Sequence, residues 1–314
     1  MKNRNWNSIA TLCIALSITL LSCKKDSVEM AQKPLTFDKN DYLNDVADNA
    51  APDESEMEFV DNSNALSAPV ISAGTRQNLI FHSNNEASTT LSPCYNTSFT
   101  QWGSLQRYSK TYSVQRVSSP AARCGSYSVR FELRKTDGDI GWSKRSEACR
   151  YSKSEPQQRA ERWYGESVYL PSEYVTDPAP ELVTQWHTDA GSPPLALWTQ
   201  NGEWRITVFG KYQTKLGAYE KNKWVDWVYH VKWSPSSDGL IEVWKDGKLV
   251  MSRTGANIYS NSIGGAYMRI GIYKWPWKSG SNPASTTTTR VMYVDEVRIG
   301  GELATYYDVA PGNY

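Results

Sequence analysis

From about Ile80 onward, apolar residues recur at every second position in short runs, separated by Gly, Asn, Asp, Ser and Pro. A period of two sends successive side chains to opposite faces of a strand, and no stretch here sustains a helical period. In residues 125–134 the alternation turns Tyr127, Val129, Phe131 and Leu133 to a core, and Ser128, Arg130, Glu132 and Arg134 away from it. Residues 144–150 carry Arg145 and Glu147 on one face. Asp137-Gly138 and Asp139-Ile140-Gly141 supply turn chemistry between these segments, which predicts a hairpin with both charged faces on one side of a sheet. Residues 163–170 form a further strand, ended by Pro171. Asn201-Gly202 and Asp246-Gly247, each between alternating runs, predict two-residue hairpin turns. Residues 227–233, 267–273 and 290–299 complete the set, the last as a long closing strand. The pattern predicts an all-β domain of two packed antiparallel sheets.

Several strands have an unusual second face. In residues 181–187, Val183, Gln185 and His187 share one side and Thr184 and Trp186 the other. Arg130 with Glu132, Arg145 with Glu147, and Tyr267, Arg269 and Tyr273 form similar polar and aromatic faces. If these faces share one sheet, they line a groove with guanidinium, imidazole, amide and phenol groups. A merely solvated face more often carries Lys, Glu, Thr and Ser. His82 and His230, the other two histidines, lack such company and are read as structural.

A groove of that chemistry suits an acidic polysaccharide, which β-elimination can cleave at a uronate. The C5 proton leaves, and the bond from C4 to the glycosidic oxygen breaks. Arg and Gln can neutralise the carboxylate as it takes up enolate charge. Tyr and His can take the C5 proton and protonate the leaving oxygen. A basic Tyr needs nearby positive charge, which Arg269 or Arg145 can supply.

Composition adds an address. Lys2 and Arg4 precede a mostly apolar run from Ile9 to Leu21, too short for a comfortable membrane span. Leu20-Leu21-Ser22-Cys23 resembles a bacterial lipobox, which implies a signal peptide over residues 1–22 and lipidation of Cys23. The expected location is therefore the bacterial cell envelope, reached through an N-terminal membrane anchor. Residues 23–75 read as a flexible acidic tether, with nine acids and one Lys between Thr36 and Asn62. That leaves 28 basic against 22 acidic residues after Asn62, so the near-neutral chain holds a mildly basic folded part over residues 76–314. Trp (13) and Tyr (19) far outnumber Phe (6), which suits polar aromatic surfaces for sugars. No phosphate-binding glycine loop, zinc-type Cys/His spacing or nucleic-acid motif is present. A monomer that needs no cofactor is expected. Asp-rich loops offer ligands for a structural Ca2+, though no spacing requires one. Once Cys23 is acylated and Cys13 leaves with the signal, Cys94, Cys124 and Cys149 allow one disulfide and leave one thiol.

The order of motifs resembles that of jelly-roll polysaccharide lyases, the structural clan of alginate lyases, glucuronan lyase and heparin lyase I. The alginate-lyase pattern runs Arg-Ser/Thr-Glu-Leu-Arg, then Gln-Ile/Val-His, then Tyr-Phe-Lys-Ala-Gly-x-Tyr. Gln185-Trp186-His187 is similar to the second part, and Tyr267 to Tyr273 to the third, with Arg269 in place of Lys. For the first part, Arg145-Ser146-Glu147 followed by Ala148-Cys149-Arg150 is one residue longer than the motif, while Arg130 to Arg134 fits the spacing. Arg145 is preferred because it shortly precedes the Trp163 and Gln185 strands, as the family motif does. The wording over about residues 78–302 is nearest the heparin lyase I and glucuronan lyase side.

The resemblance implies a jelly-roll sandwich with a concave groove, in which Gln185 and Arg145 neutralise the uronate. Tyr273 would serve as acid and base, and His187 would assist or act as base. Arg130, Glu132, Glu147, Tyr267, Arg269, Lys274 and Trp275 are the further substrate-binding candidates, the Trp275-Pro276-Trp277 loop either stacking sugars at the groove end or capping the core. An unsulfated uronan such as glucuronan or alginate is favoured, because dense sulfates call for more Lys and Arg. A jelly-roll glycoside hydrolase needs a carboxylate pair that the sequence does not display. A non-catalytic carbohydrate-binding lipoprotein is the other alternative.

Overall fold

Alternation of apolar and polar residues builds fifteen strands in the described part of the computed structural model, which comprises residues 78–83, 102, 104–150, 161–188, 190–262 and 265–312. The signal peptide, Cys23, the tether and Cys94 lie outside the described residues.

One sheet has the order β13 (Lys248–Thr254), β12 (Leu240–Lys245), β11 (Trp224–Lys232), β6 (Glu161–Tyr169), β15 (Thr289–Gly300), β4 (Ser128–Arg134) and β3 (Val114–Val117). Strand β1 (Leu79–Ser83) also pairs with β15. The other sheet runs β10 (Tyr212–Ala218), β9 (Glu203–Val208), β8 (Leu195–Gln200), β7 (Glu181–His187), β14 (Tyr267–Lys274), β5 (Lys144–Arg150) and β2 (Ser104–Arg107). Neighbouring strands are antiparallel throughout, so the described part is a β-sandwich of the expected jelly-roll class. The helix α1 (Tyr306–Val309) is a single turn.

The inner faces meet in an aromatic core. Trp186 of β7 lies edge-on to Tyr164 and Tyr229 of the first sheet, with centroids 5.1 and 4.6 Å away. Met268, Ile270 and Ile272 of β14 are buried with Met292 and Val294 of β15. Both hairpin turns form as the sequence predicts. Asn201 and Gly202 (φ 53° and 83°) join β8 to β9, and Asp246 and Gly247 (φ 47° and 79°) join β12 to β13.

Two expectations are corrected. Strands β4 and β5 do not form a hairpin. Both edges of β4 are taken by β15 and β3, so the chain turns a corner after Arg134 and β5 enters the other sheet between β14 and β2. Arg130 and Glu132 therefore sit on the outer face of the first sheet, paired to each other, while Glu132 also binds Arg134. The second correction concerns Val183, which packs in the core rather than beside Gln185. A β-bulge is responsible: Leu182 and Thr184 pair with the consecutive residues Trp198 and Leu197 of β8. Val183 and Thr184 both point inward, and Leu182 turns to the outer face of its sheet with Ala196 and Tyr273.

Cys124 is disulfide-bonded, and Cys149 is a buried free thiol. Burial pushes the Cys149 thiol up to about 11.

Candidate functional site

Three adjacent strands, β7, β14 and β5, carry the polar residues that the sequence singled out. Register places His187 opposite Tyr267, Gln185 opposite Arg269, and Tyr273 opposite Arg145. All six stand on the face of the sheet away from the core, and Arg145, Gln185 and Arg269 are each only 1% exposed. Arg130, by contrast, lies on the other sheet, so the structure groups Arg145 and not Arg130 with these residues.

The contacts knit the group together. The Gln185 amide donates through Nε2 to Glu147 Oε1 at 2.5 Å. Arg145 Nη1 donates to Gln106 Oε1 at 3.1 Å and lies 3.5 Å from Glu147 Oε2. The Arg145 guanidinium also stacks over the Tyr273 ring, 4.2 Å from its centroid. Arg269 Nη2 donates to the Tyr267 hydroxyl at 2.6 Å. Glu147, expected to touch substrate, is thus directed at Gln185 and Arg145.

His187 is held neutral. Burial drives its imidazole down to about 3, and the guanidinium of Arg269 pushes the same way, as does that of Arg145; a bond to Thr188 acts in the opposite sense. That bond joins Nδ1 to the Thr188 carbonyl oxygen at 2.5 Å. A carbonyl only accepts, so Nδ1 carries the proton and Nε2 keeps a lone pair. The arrangement is a neutral base flanked by two cations.

Beyond Tyr273 the face opens into a cavity of about 720 Å3. Leu182, Ala196, Trp198, Tyr273 and Trp275 line this end, with loop residues 190–193, 256 and 258–261 along the sides. Trp275 lies 5.7 Å from Trp198 and 6.0 Å from Tyr273, at tilts of 32° and 41°. Such half-buried indoles beside an apolar floor suit the faces of sugar rings. Within residues 275–277, Trp275 lines the cavity and Trp277 is buried in the core.

Lys274 is a correction. It is fully buried on the core side of β14, bonded through Nζ to the Ala179 carbonyl at 2.9 Å and to Glu181 at 3.0 Å, with Asp177 at 3.3 Å. Glu181 is also held by Arg290 Nε at 2.7 Å and by the Tyr174 hydroxyl. Burial alone would raise the Glu181 carboxyl, but Arg290 and Lys274 bring it below the usual range. Lys274 anchors the end of β14 and has no route to a substrate. Its alternation with Tyr273 already signals the opposite face.

Trp198, Leu182, Ala196 and Gln106 are site residues that the sequence reading missed. For Trp198 and Ala196 a signal existed, because both alternate with the core residues Leu195 and Leu197. His230 lies on the other sheet, stacked on Trp163 at 4.0 Å between Glu161 and Glu242. Among the described residues, no three His, Cys, Asp or Glu side chains are placed to hold a metal ion.

A family model described as Polysaccharide lyase matches residues 95–298. Among solved structures, an endo-beta-1,4-glucuronan lyase from the fungus Trichoderma reesei is similar with a TM-score of 0.61 at 19% identity, covering 75% of this chain and 100% of that one. An alginate lyase from Corynebacterium sp. gives 0.42 at 15% identity, covering 55% and 76%. A beta-glucanase catalytic domain from Podospora anserina gives 0.48 at 16% identity, covering 67% and 90%. No curated protein sequence matches the chain.

Proposed function

The chain belongs to the polysaccharide lyase family, and we propose that it cleaves an unsulfated polyuronate, glucuronan or alginate, by β-elimination beside Tyr273. Membership in a lyase family sets aside the hydrolase and the non-catalytic binding module. The observation that carries the finer reading is the company of Tyr273: Arg145 over its ring, with Gln185, Arg269 and a neutral His187 on the same face.

In this reading Arg145 and Gln185 hold the uronate carboxylate. Their hydrogen bonds strengthen as the C5–H electrons move toward it, so they lower the barrier and do more than bind the ground state. A base takes the C5 proton, the electron pair forms the C4–C5 double bond, and the C4–O pair leaves with the glycosidic oxygen. The Tyr273 hydroxyl gives that oxygen a proton. In glucuronate and mannuronate the C5 hydrogen and C4 oxygen are syn, so Tyr273 can fill both roles, starting as a phenolate against the Arg145 guanidinium. In guluronate they are anti, and Nε2 of His187 is the group to take the proton. The indoles of Trp198 and Trp275 support neighbouring sugar rings.

The test is to incubate purified protein with glucuronan, polymannuronate, polyguluronate and heparan sulfate, and to follow the ultraviolet absorbance of new 4,5-unsaturated ends. Absorbance should rise on one or more unsulfated polymers and stay flat on heparan sulfate. A rise confined to heparan sulfate, or no rise on any polymer, would refute the reading.

The stretch Leu20-Leu21-Ser22-Cys23 supports a lipid anchor that holds the enzyme on the bacterial envelope. The native chain should then fractionate with membranes and Cys23→Ala with the soluble fraction; equal partition of the two counts against the anchor.

A further inference from the structure

Gln185 and Glu147 belong to strands that do not touch, because β14 runs between them. Gln185 is opposite Arg269 on one side of β14, and Glu147 is opposite Gly271 on the other. Their 2.5 Å hydrogen bond therefore crosses β14 diagonally, between Arg269 and Gly271. Gly271, beside that crossing, has a φ of 130°, a conformation that side-chain-bearing residues rarely adopt. A Cβ at this position would lie 2.3 Å from the Ser146 carbonyl oxygen and 2.9 Å from the Glu147 Cα, so any larger residue displaces β5 at Glu147.

A glutamine amide turns about a broad, roughly two-fold torsion, and its two ends differ little in size. Something must therefore decide which end faces the substrate. Oε1 of Gln185 is buried without a hydrogen-bond partner among the described residues, so it does not set the orientation. The Glu147 carboxylate does, because it only accepts and admits nothing but the amide nitrogen. We propose that Glu147 is a positioning residue: it fixes the Gln185 amide so that the second N–H of Nε2, and not the carbonyl, meets the uronate carboxylate.

A charge-assisted bond of this kind biases the two orientations by about ten- to a hundredfold. Oε2 of Glu147 lies 3.5 Å from Arg145 Nη1 and makes no hydrogen bond among the described residues, so the Gln185 amide is the group that Glu147 orients. Glu147 itself need not touch substrate. The inference rests on the role given to Gln185 above.

A double-mutant cycle tests it. Glu147→Gln should lower kcat by about ten- to a hundredfold, with KM within about threefold, because a misoriented group costs transition-state contacts. In a Gln185→Ala background the same change should alter kcat by less than about twofold, since there is no amide left to orient. A kcat within threefold of wild type for Glu147→Gln overturns the proposal, as do effects that multiply in the double variant.

The wild-type protein provides a measurement that does not depend on the variant folding. The side-chain amide of Gln185, assigned in a proton–nitrogen correlation spectrum by its loss in Gln185→Ala, should show one proton shifted downfield and protected from exchange. Two ordinary, freely exchanging protons overturn the orientation. If Gln185→Ala keeps near-full activity, the role of Gln185 has failed, and the spectrum still decides whether Glu147 orients it.

Discussion

Glu166 offers a sharp test of the fold, because its carboxyl lies between the two sheets with hydrogen bonds and, among the described residues, no cation. Thr184 Oγ1 donates to it at 2.8 Å from the facing sheet, and the Tyr229 hydroxyl donates at 2.9 Å from the neighbouring strand. Burial raises the carboxyl from 4.5 to about 7, and these two bonds only partly oppose it. Between those values the folded chain binds a proton that the unfolded chain has released, so stability falls as pH rises from 4.5 to about 7 and then levels. At ~1.4 kcal/mol for each tenfold change in proton affinity, the loss is roughly 3 kcal/mol. Glu166→Gln keeps the shape and stays neutral at every pH. Relative to wild type it should therefore gain roughly 3 kcal/mol between pH 4.5 and pH 8, about 1 M in urea midpoint for a slope near 3 kcal/mol/M. Urea unfolding of both proteins at a series of pH values measures the gap, and the subtraction removes every titration the two share. A gap constant to within about 0.5 kcal/mol across that range would refute a lone carboxyl in the core.

The remaining predictions concern the site. Tyr273→Phe should lower turnover by about 10²–10⁴-fold while calorimetry finds oligosaccharide affinity within about threefold, and near-full turnover would remove Tyr273 from the chemistry. His187 has the opposite sign to Glu166: the unfolded imidazole gains a proton below about 6.5 and the folded one stays neutral to about 3, so stability should fall as pH drops through that window. His187→Asn should lose that dependence in the same urea series, and wild-type kcat/KM should show no acid limb near 6.5. Gly271→Ala forces a side chain into a φ of 130° and against the Ser146 carbonyl. The backbone strain alone is about 1–3 kcal/mol, and scanning calorimetry should find Tm lower by at least about 2 °C.

Alternation, hairpin turns and the ordering of Gln185, His187, Tyr267 and Tyr273 were legible because they depend on neighbours in sequence. The faces of Arg145 and Arg130 look alike at that level, since both strands alternate and both carry an Arg–Glu pair. What separates them is the pairing of β4 with β15 and of β5 with β14, contacts made across more than a hundred residues. Lys274 misled for another reason. A lysine at the end of a strand usually reaches solvent, and only the folded chain brings Asp177 and Glu181 close enough to hold it buried. Trp198 passed as an ordinary strand aromatic because the loops that make its surroundings a groove are irregular in sequence.

The extra residue in β7 makes that strand speak in two phases. From Thr184 onward, even-numbered residues face the core and Gln185 and His187 face out; before Val183 the parity reverses, with Glu181 inside and Leu182 outside. The strand therefore lays an imidazole and an amide at one end of its outer surface and an apolar floor at the other, within a few residues of each other. A regular strand would have put Glu181 where Leu182 lies, setting a carboxylate next to Tyr273 and under an incoming polyanion. One inserted residue thus segregates acid from phenol, and variation on either side of Val183 has to be interpreted with opposite parity.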